Sequence, residues 1–219
     1  MNVSDFFPNW RALTEDERTK LERAAVLRTA KRGTLIHGGS GDCTGLLLIC
    51  AGQLRAYIVS ADGREITLYR LLERDVCLFS ASCMLHSMPF DITIRAETDA
   101  SFWLIPAETY RALSEASAPL ANYTNRIMAD RFSDVMWLME QILWKSFDRR
   151  LAEFLLSEAA LCGTRELKMT HEEIGNHLGT AREVVTRMLH YFQSEGVVRL
   201  ARGTVHITNA ARLEALAAM

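Results

Sequence analysis

Short apolar runs punctuated by glycine dominate the chain to about residue 106, and the period changes sharply after that point. The segments GTLIHGGSGD, TGLLLICAGQL and RAYIVSADGREITLYRLL each read as strand material bounded by turn residues. Asp62-Gly63, lying between two apolar-rich patterns, predicts a two-residue hairpin turn. Further strands are expected over 92–96 and 101–105. Several short strands at this spacing predict a small β-barrel or β-roll. One helix precedes them: TEDERTKLERAAVL, residues 14–27, opens on a Thr14-x-x-Glu17 capping box.

Pro106 then opens a helix, Pro119 resets it, and residues 120–146 contain neither glycine nor proline. Within that stretch Met128, Phe132, Val135, Met139 and Ile142 recur at alternating spacings of four and three, which is a heptad seam. A single amphipathic helix packed on its own sheet would also carry a stripe. Trp137, Leu138 and Trp144 add apolar surface beside this one, and the surplus favours pairing of two copies through the helix. From about residue 147 the pattern is helical, with helices expected over 148–161, 170–178 and 180–195, and then two short strands around Arg202-Gly203 in VVRLARGTVHITN. The fold class expected is α+β, divided into a β-roll over 1–118, a central dimerisation helix over 119–146 and a winged helix-turn-helix domain over 147–219.

The segment THEEIGNHLGTAREVVTRMLHYFQSEGVV, from Thr170 to Val198, carries the chemistry. Thr170 with Glu173, and Thr180 with Glu183, have the spacing of two capping boxes ten residues apart, joined by a short Leu-Gly-Thr connection. Gly175 lacks a side chain and permits a close approach of the second helix, which buries Val185, Met188, Leu189 and Phe192. Arg182, Glu183, Thr186 and Arg187 then fall on the opposite face. That is the helix-turn-helix arrangement, with the trailing hairpin as a wing. Such a helix fits the major groove of duplex DNA, where an arginine can donate two bonds to guanine. Thr180 and the free N–H groups at its helix start are suited to phosphate, and Thr170 and Arg202 are further DNA-binding candidates. Glu183 is the awkward member, because phosphates repel an acid. Either it only caps its helix, or it accepts a hydrogen bond from cytosine N4 between neutralising arginines.

Composition narrows these readings without replacing them. The net charge of −2 and pI near 6.3 exclude a protein basic all over, yet 176–212 holds five arginines against two glutamates. An acid at position 5 and no basic stretch before an apolar run argue against a signal peptide. The longest apolar run, 46–51, is far short of the about 20 residues a membrane span needs. A cytoplasmic protein is expected. The five cysteines are scattered without C-x-x-C spacing, which argues against a disulfide scaffold. No H-x-H pair, G-x-S-x-G elbow or Walker loop is present, so an enzyme is not expected and no catalytic or metal-ligating residue is assigned. A cupin-like β-barrel enzyme and a cyclic-nucleotide-binding regulatory module are the alternatives.

The run EEIGNHLGTAREVVTRMLHYFQSEGVV resembles the helix-turn-helix of the cyclic-AMP receptor protein / fumarate–nitrate regulator (CRP/FNR) superfamily. The resemblance extends over nearly the whole chain, from the GTLIHGG and Asp-Gly segments through the long helix to the wing. It implies that Arg182, Glu183 and Arg187 read bases in each half-site, with Thr186 contributing in some members. It further implies a homodimeric, sequence-specific transcription regulator whose roll senses an effector.

The resemblance also says which effector not to expect. Members that bind cyclic nucleotides keep a glutamate and an Arg-Ser pair in the segment matching RDVCLFSASCMLHSMPFDITIRAET. Here Phe79 stands at the glutamate and Phe90 and Asp91 stand at the Arg-Ser pair, which argues against cyclic AMP. An iron–sulfur cluster needs about four converging thiolates, and residues 1–42 contain no cysteine. Haem would need an axial ligand from His37, Cys77, His86 or Met88, single residues that are more often packing. The apolar side chains Phe79, Cys83, Leu85, Phe90 and Trp137 are either roll core or a pocket for a small apolar effector. Cys77 and Cys83 are a candidate redox pair. The partners expected are duplex DNA, a second copy of the chain, an unidentified small effector and RNA polymerase.

Overall fold

A computed structural model describes residues 1–38, 44–84 and 91–218, and of residues 82–84 the backbone only. Leu85 and Phe90, with the Cys83 side chain, lie outside the described residues. The chain forms two compact units, 1–59 with 68–136 and 60–67 with 137–219.

In the first unit, helix α1 (Glu15–Ala24) begins on the expected capping box. The Glu17 N–H donates to Thr14 Oγ1 at 3.3 Å, and Thr14 N–H donates to Glu17 Oε2 at 2.7 Å. The helix stops at Ala24 rather than running to 27, because Val26 and Leu27 are taken into a strand. That strand, β1 (Val26–Ala30), is followed by β2 (Leu35–Gly38), β3 (Leu46–Ala51), β4 (Leu54–Val59), β5 (Glu65–Leu71), β6 (Val76–Cys77), β7 (Thr93–Ala96) and β8 (Ala100–Ile105). They form two four-stranded sheets, in orders β1-β8-β3-β6 and β2-β7-β4-β5. Antiparallel pairing of Val26 with Leu104 through Ala30 with Ala100 is what overrides the helical pattern in the residues after Ala24.

Strand β3 explains the apolar run at 46–51. Leu46 and Leu48 point into a cluster with Phe6, Phe7, Tyr110 and Leu113, while Leu47 and Ile49 point into a second cluster with Leu54, Leu71, Ile94 and Phe102. Both faces of the strand are covered, so hydrophobicity does not alternate along it. The hairpin turn is Ala61-Asp62-Gly63, one residue longer than the sequence reading. Ser60 N–H donates to the Arg64 carbonyl at 2.8 Å, and Asp62 pairs with Arg64 at 2.7 Å, so the extra residue is held by a local ion pair.

Pro106 caps helix α2 (Ala107–Ala116) from outside rather than occupying its first turn. Helix α3 (Ala118–Trp144) follows. Its apolar residues divide. Met128 is partly buried against the roll core and Val135 is partly buried, whereas Phe132, Met139 and Ile142 are exposed. Met136 and Leu143 are exposed as well, so Phe132, Met136, Met139 and Leu143 form an outward row at spacings of four, three and four.

The second unit holds helix α4 (Phe147–Cys162), strand β9 (Glu166–Leu167), helices α5 (His171–Leu178) and α6 (Arg182–Ser194), strands β10 (Val198–Ala201) and β11 (Thr204–Ile207), and helix α7 (Ala210–Ala218). Its core joins Leu151 and Leu155 of α4, Ile174 of α5, Val185, Leu189 and Phe192 of α6, Val205 and Ile207 of β11, and Leu213 of α7. Strand β9 adds to the wing, giving the order β10-β11-β9. No helix among the described residues is long and apolar enough to cross a membrane.

Candidate nucleic-acid interface

Helix α5 is fixed at its start by Thr170. The Glu173 N–H donates to Thr170 Oγ1 at 3.1 Å, and Thr170 N–H donates to Glu173 Oε2 at 2.7 Å. The Thr170 hydroxyl also donates to the same carboxylate at 3.0 Å, so its proton is already used. At the other end, Arg150 Nη1 donates to the Leu178 carbonyl at 3.2 Å, placing a cation on the negative pole of the helix. The turn depends on Gly175: a Cβ there would sit 2.8 Å from the Thr180 carbonyl oxygen, so any side chain would push the two helices apart. Gly179 supplies the left-handed residue of the connection, with φ of 67°.

Helix α6 does not start on the second capping box that the spacing suggested. Its N-cap is Ala181, which offers no side-chain acceptor, so Thr180 lies one residue before the cap and Glu183 at the second helical position. Glu183 is therefore relieved of capping. The first N–H groups of α6 receive nothing from a side chain of the cap residue, which suits them to an anion.

Val185, Leu189 and Phe192 are fully buried under this helix, with Met188 partly so. Arg182, Glu183 and Arg187 are exposed on the other side. None of the three forms an ion pair among the described residues, nor do Arg199 and Arg202, exposed in the wing. Thr186 is half-buried, and its hydroxyl donates to the Arg182 carbonyl at 2.9 Å. Thr170, Arg182 and Arg202, read separately from the sequence as DNA contacts, line one open cavity of about 380 Å³, together with His171, Glu172, Ala201 and Gly203. His171 was not among the residues singled out from the sequence. No sequence signal marks it, because its place depends on the wing folding back over the start of α5.

A family model described as a Crp-like helix-turn-helix domain matches residues 149–216, and one described as a cyclic nucleotide-binding domain matches 27–117. A crystal structure assigned to the CRP/FNR family, from Eubacterium rectale, is 55% identical with a TM-score of 0.96, covering 98% of this chain and 100% of that one. The chain belongs to the CRP/FNR family. Among curated CRP/FNR relatives, the transcriptional activator protein anr of Pseudomonas aeruginosa is 28% identical over 198 residues, 87% of this chain and 80% of that protein. The cyclic AMP receptor protein of Thermus thermophilus is 28% identical over 172 residues, 78% of this chain and 79% of that protein. This CRP/FNR protein is thus a transcription regulator with a DNA-binding helix-turn-helix and a cyclic-nucleotide-binding-like domain, not an enzyme.

The roll residues read as effector candidates are placed as follows. Phe79 is buried in the core, its ring 6.0 Å from that of Tyr69. Cys77 is fully buried, and burial pushes its thiol above the usual range, which disfavours the thiolate that redox chemistry needs. Arg131 of α3 stacks over Tyr69 at 4.6 Å and pairs with Asp134 at 2.8 Å. Trp137 is exposed on α3. Among the described residues no group of three or more His, Cys, Asp or Glu is placed to hold a metal ion.

Proposed function

We propose that the protein acts in the cytoplasm as a homodimer on a near-palindromic operator, with the two copies of α6 in successive major grooves about one helical turn apart. Arg182 and Arg187 donate to guanine edges, Glu183 accepts from cytosine N4, and Thr180 and Arg202 hold phosphates. The observation that carries this reading is the exposed α6 face, on which one carboxylate and two guanidinium groups stand without ion-pair partners among the described residues. Thr186 has a smaller part, since its hydroxyl proton is spent on Arg182, and it offers a methyl group to the groove.

Dimerisation runs through the outward row of α3. Phe132, Met136, Met139 and Leu143 are between 46% and 67% exposed in one chain, and burying them against a second copy removes a large apolar surface from water. The seam so drawn keeps Phe132 and Met139 from the sequence reading and is turned slightly from Met128 and Val135 toward Met136 and Leu143. An effector other than cyclic AMP, bound to the roll, biases how the helices pair, provided it binds the two arrangements with different affinity. Phe79 at the expected glutamate, and Phe90 and Asp91 at the expected Arg-Ser pair, support excluding cyclic AMP. Bound near a promoter, the dimer meets RNA polymerase, the remaining partner. Replacing Phe132 and Met139 together with Asp should give monomers in sedimentation that hold DNA weakly. An intact dimer would remove the α3 seam.

A further inference from the structure

The cavity between α5, α6 and the wing contains a histidine whose contacts favour one tautomer. His171 Nδ1 lies 2.8 Å from Thr186 Oγ1, and Thr186 Oγ1 lies 2.9 Å from the Arg182 carbonyl. A carbonyl oxygen cannot donate, so the one hydroxyl proton of Thr186 goes to Arg182. With that proton so used, the Nδ1 contact is satisfied by a bond donated from the imidazole. The ring is held with its proton on Nδ1, and Nε2 is the nitrogen left for the cavity that His171 lines with Arg182 and Arg202.

We propose that this cavity is a phosphate site of the DNA backbone in which His171 is a donor only when doubly protonated, so that each recognition unit takes up one proton when it binds DNA. The inference rests on the DNA-binding reading above and adds a proton to it. A phosphate oxygen accepts hydrogen bonds and donates none, so a neutral Nε2 would face it lone pair to lone pair. In the free protein the surroundings favour the neutral ring. Burial lowers its pKa first, and the charges of His190 and Arg182 on α6 lower it further. Arg202 of the wing adds another cation to the cavity wall, and among the described residues Glu172 of α5 is the one acid lining it. A phosphate arriving among these groups brings the negative charge that favours the imidazolium. Thr186 then has a second consequence: it ties the protonating ring to the backbone of α6 at Arg182, the first residue of the reading helix.

The test is the affinity of the full-length protein for a duplex selected from a randomised pool, measured between about pH 6 and about pH 8, across the range in which histidine titrates. Binding should weaken several-fold as pH rises, with a limit of about tenfold per pH unit for each recognition unit. The salt dependence should be steeper at the low end by about one counterion per recognition unit. His171→Asn keeps a donor toward Thr186 but has no second nitrogen, and should lose the pH dependence. His171→Arg carries a permanent charge and should lose it as well. A native protein that binds its duplex with affinity flat in pH overturns this inference alone, as does a slope that persists unchanged in His171→Asn and therefore belongs to His190 or His206. A native protein that retains no duplex at any pH overturns the DNA-binding reading, and this inference with it.

Discussion

Three arginines of the roll and four of the winged unit are treated in opposite ways. In the roll, Arg131 stacks on Tyr69 and is paired with Asp134 at 2.8 Å, Arg70 is paired with Glu97 at 2.9 Å, and Arg55, buried, lies 4.4 Å from the centre of the Tyr57 ring. In the winged unit, Arg182, Arg187, Arg199 and Arg202 are exposed and form no ion pair among the described residues. The same side chain serves as internal mortar at the first three positions and as unspent charge at the other four. A net charge of −2 conceals this difference, because residues 147–219 hold nine acids against nine lysines and arginines, and the sum does not tell which of them are paired. The lesson is that a ligand surface is marked less by how many cations it has than by how few of them the protein has already neutralised.

That contrast is sharpest where it is tested by removal. Arg182→Ala and Arg187→Ala should each cost about 1–3 kcal/mol of discrimination at one base pair while leaving the thermal midpoint nearly unchanged. Titration against duplexes altered one pair at a time measures it, and unchanged preference in both variants would break the comparison. Arg131→Met should behave in reverse. The pair with Asp134 is 15% and 43% exposed, so the loss of this bridge and the stacking on Tyr69 amounts to about 1 kcal/mol of stability in denaturant. The salt slope of DNA binding should not move, since Arg131 contributes no counterion release.

Much of the winged unit could be read from the chain. Thr170 with Glu173 caps α5, Gly175 and Gly179 make the turn, and Val185, Leu189 and Phe192 line the buried side, because each is a local rule acting within a few residues. Thr180 misled, since the same capping spacing is present but the helix starts after Ala181. Spacing alone cannot choose between neighbouring start residues. Strand β9 and helix α7 were not legible. Two residues, Glu166 and Leu167, are too few to show a period, and AARLEALAA, residues 210–218, became a helix by burying Leu213 against the unit's core. His171 is the same kind of case at the site: its role comes from Thr186 and the wing, fifteen and about thirty residues away. In the roll, the end of α1 was set by pairing with β8 some eighty positions on, a contact that no local pattern carries.

The central claim is that the exposed face of α6 reads base sequence, with Glu183 as a reader and not a cap. Selection of duplexes from a randomised pool by the native protein and by Glu183→Ala tests it most directly. The account predicts two-fold-related half-sites for the native protein, and for the variant a loss of preference of about 1–3 kcal/mol at one C·G pair in each half-site, with the rest of the site kept. Identical selected sequences from the two proteins would contradict it.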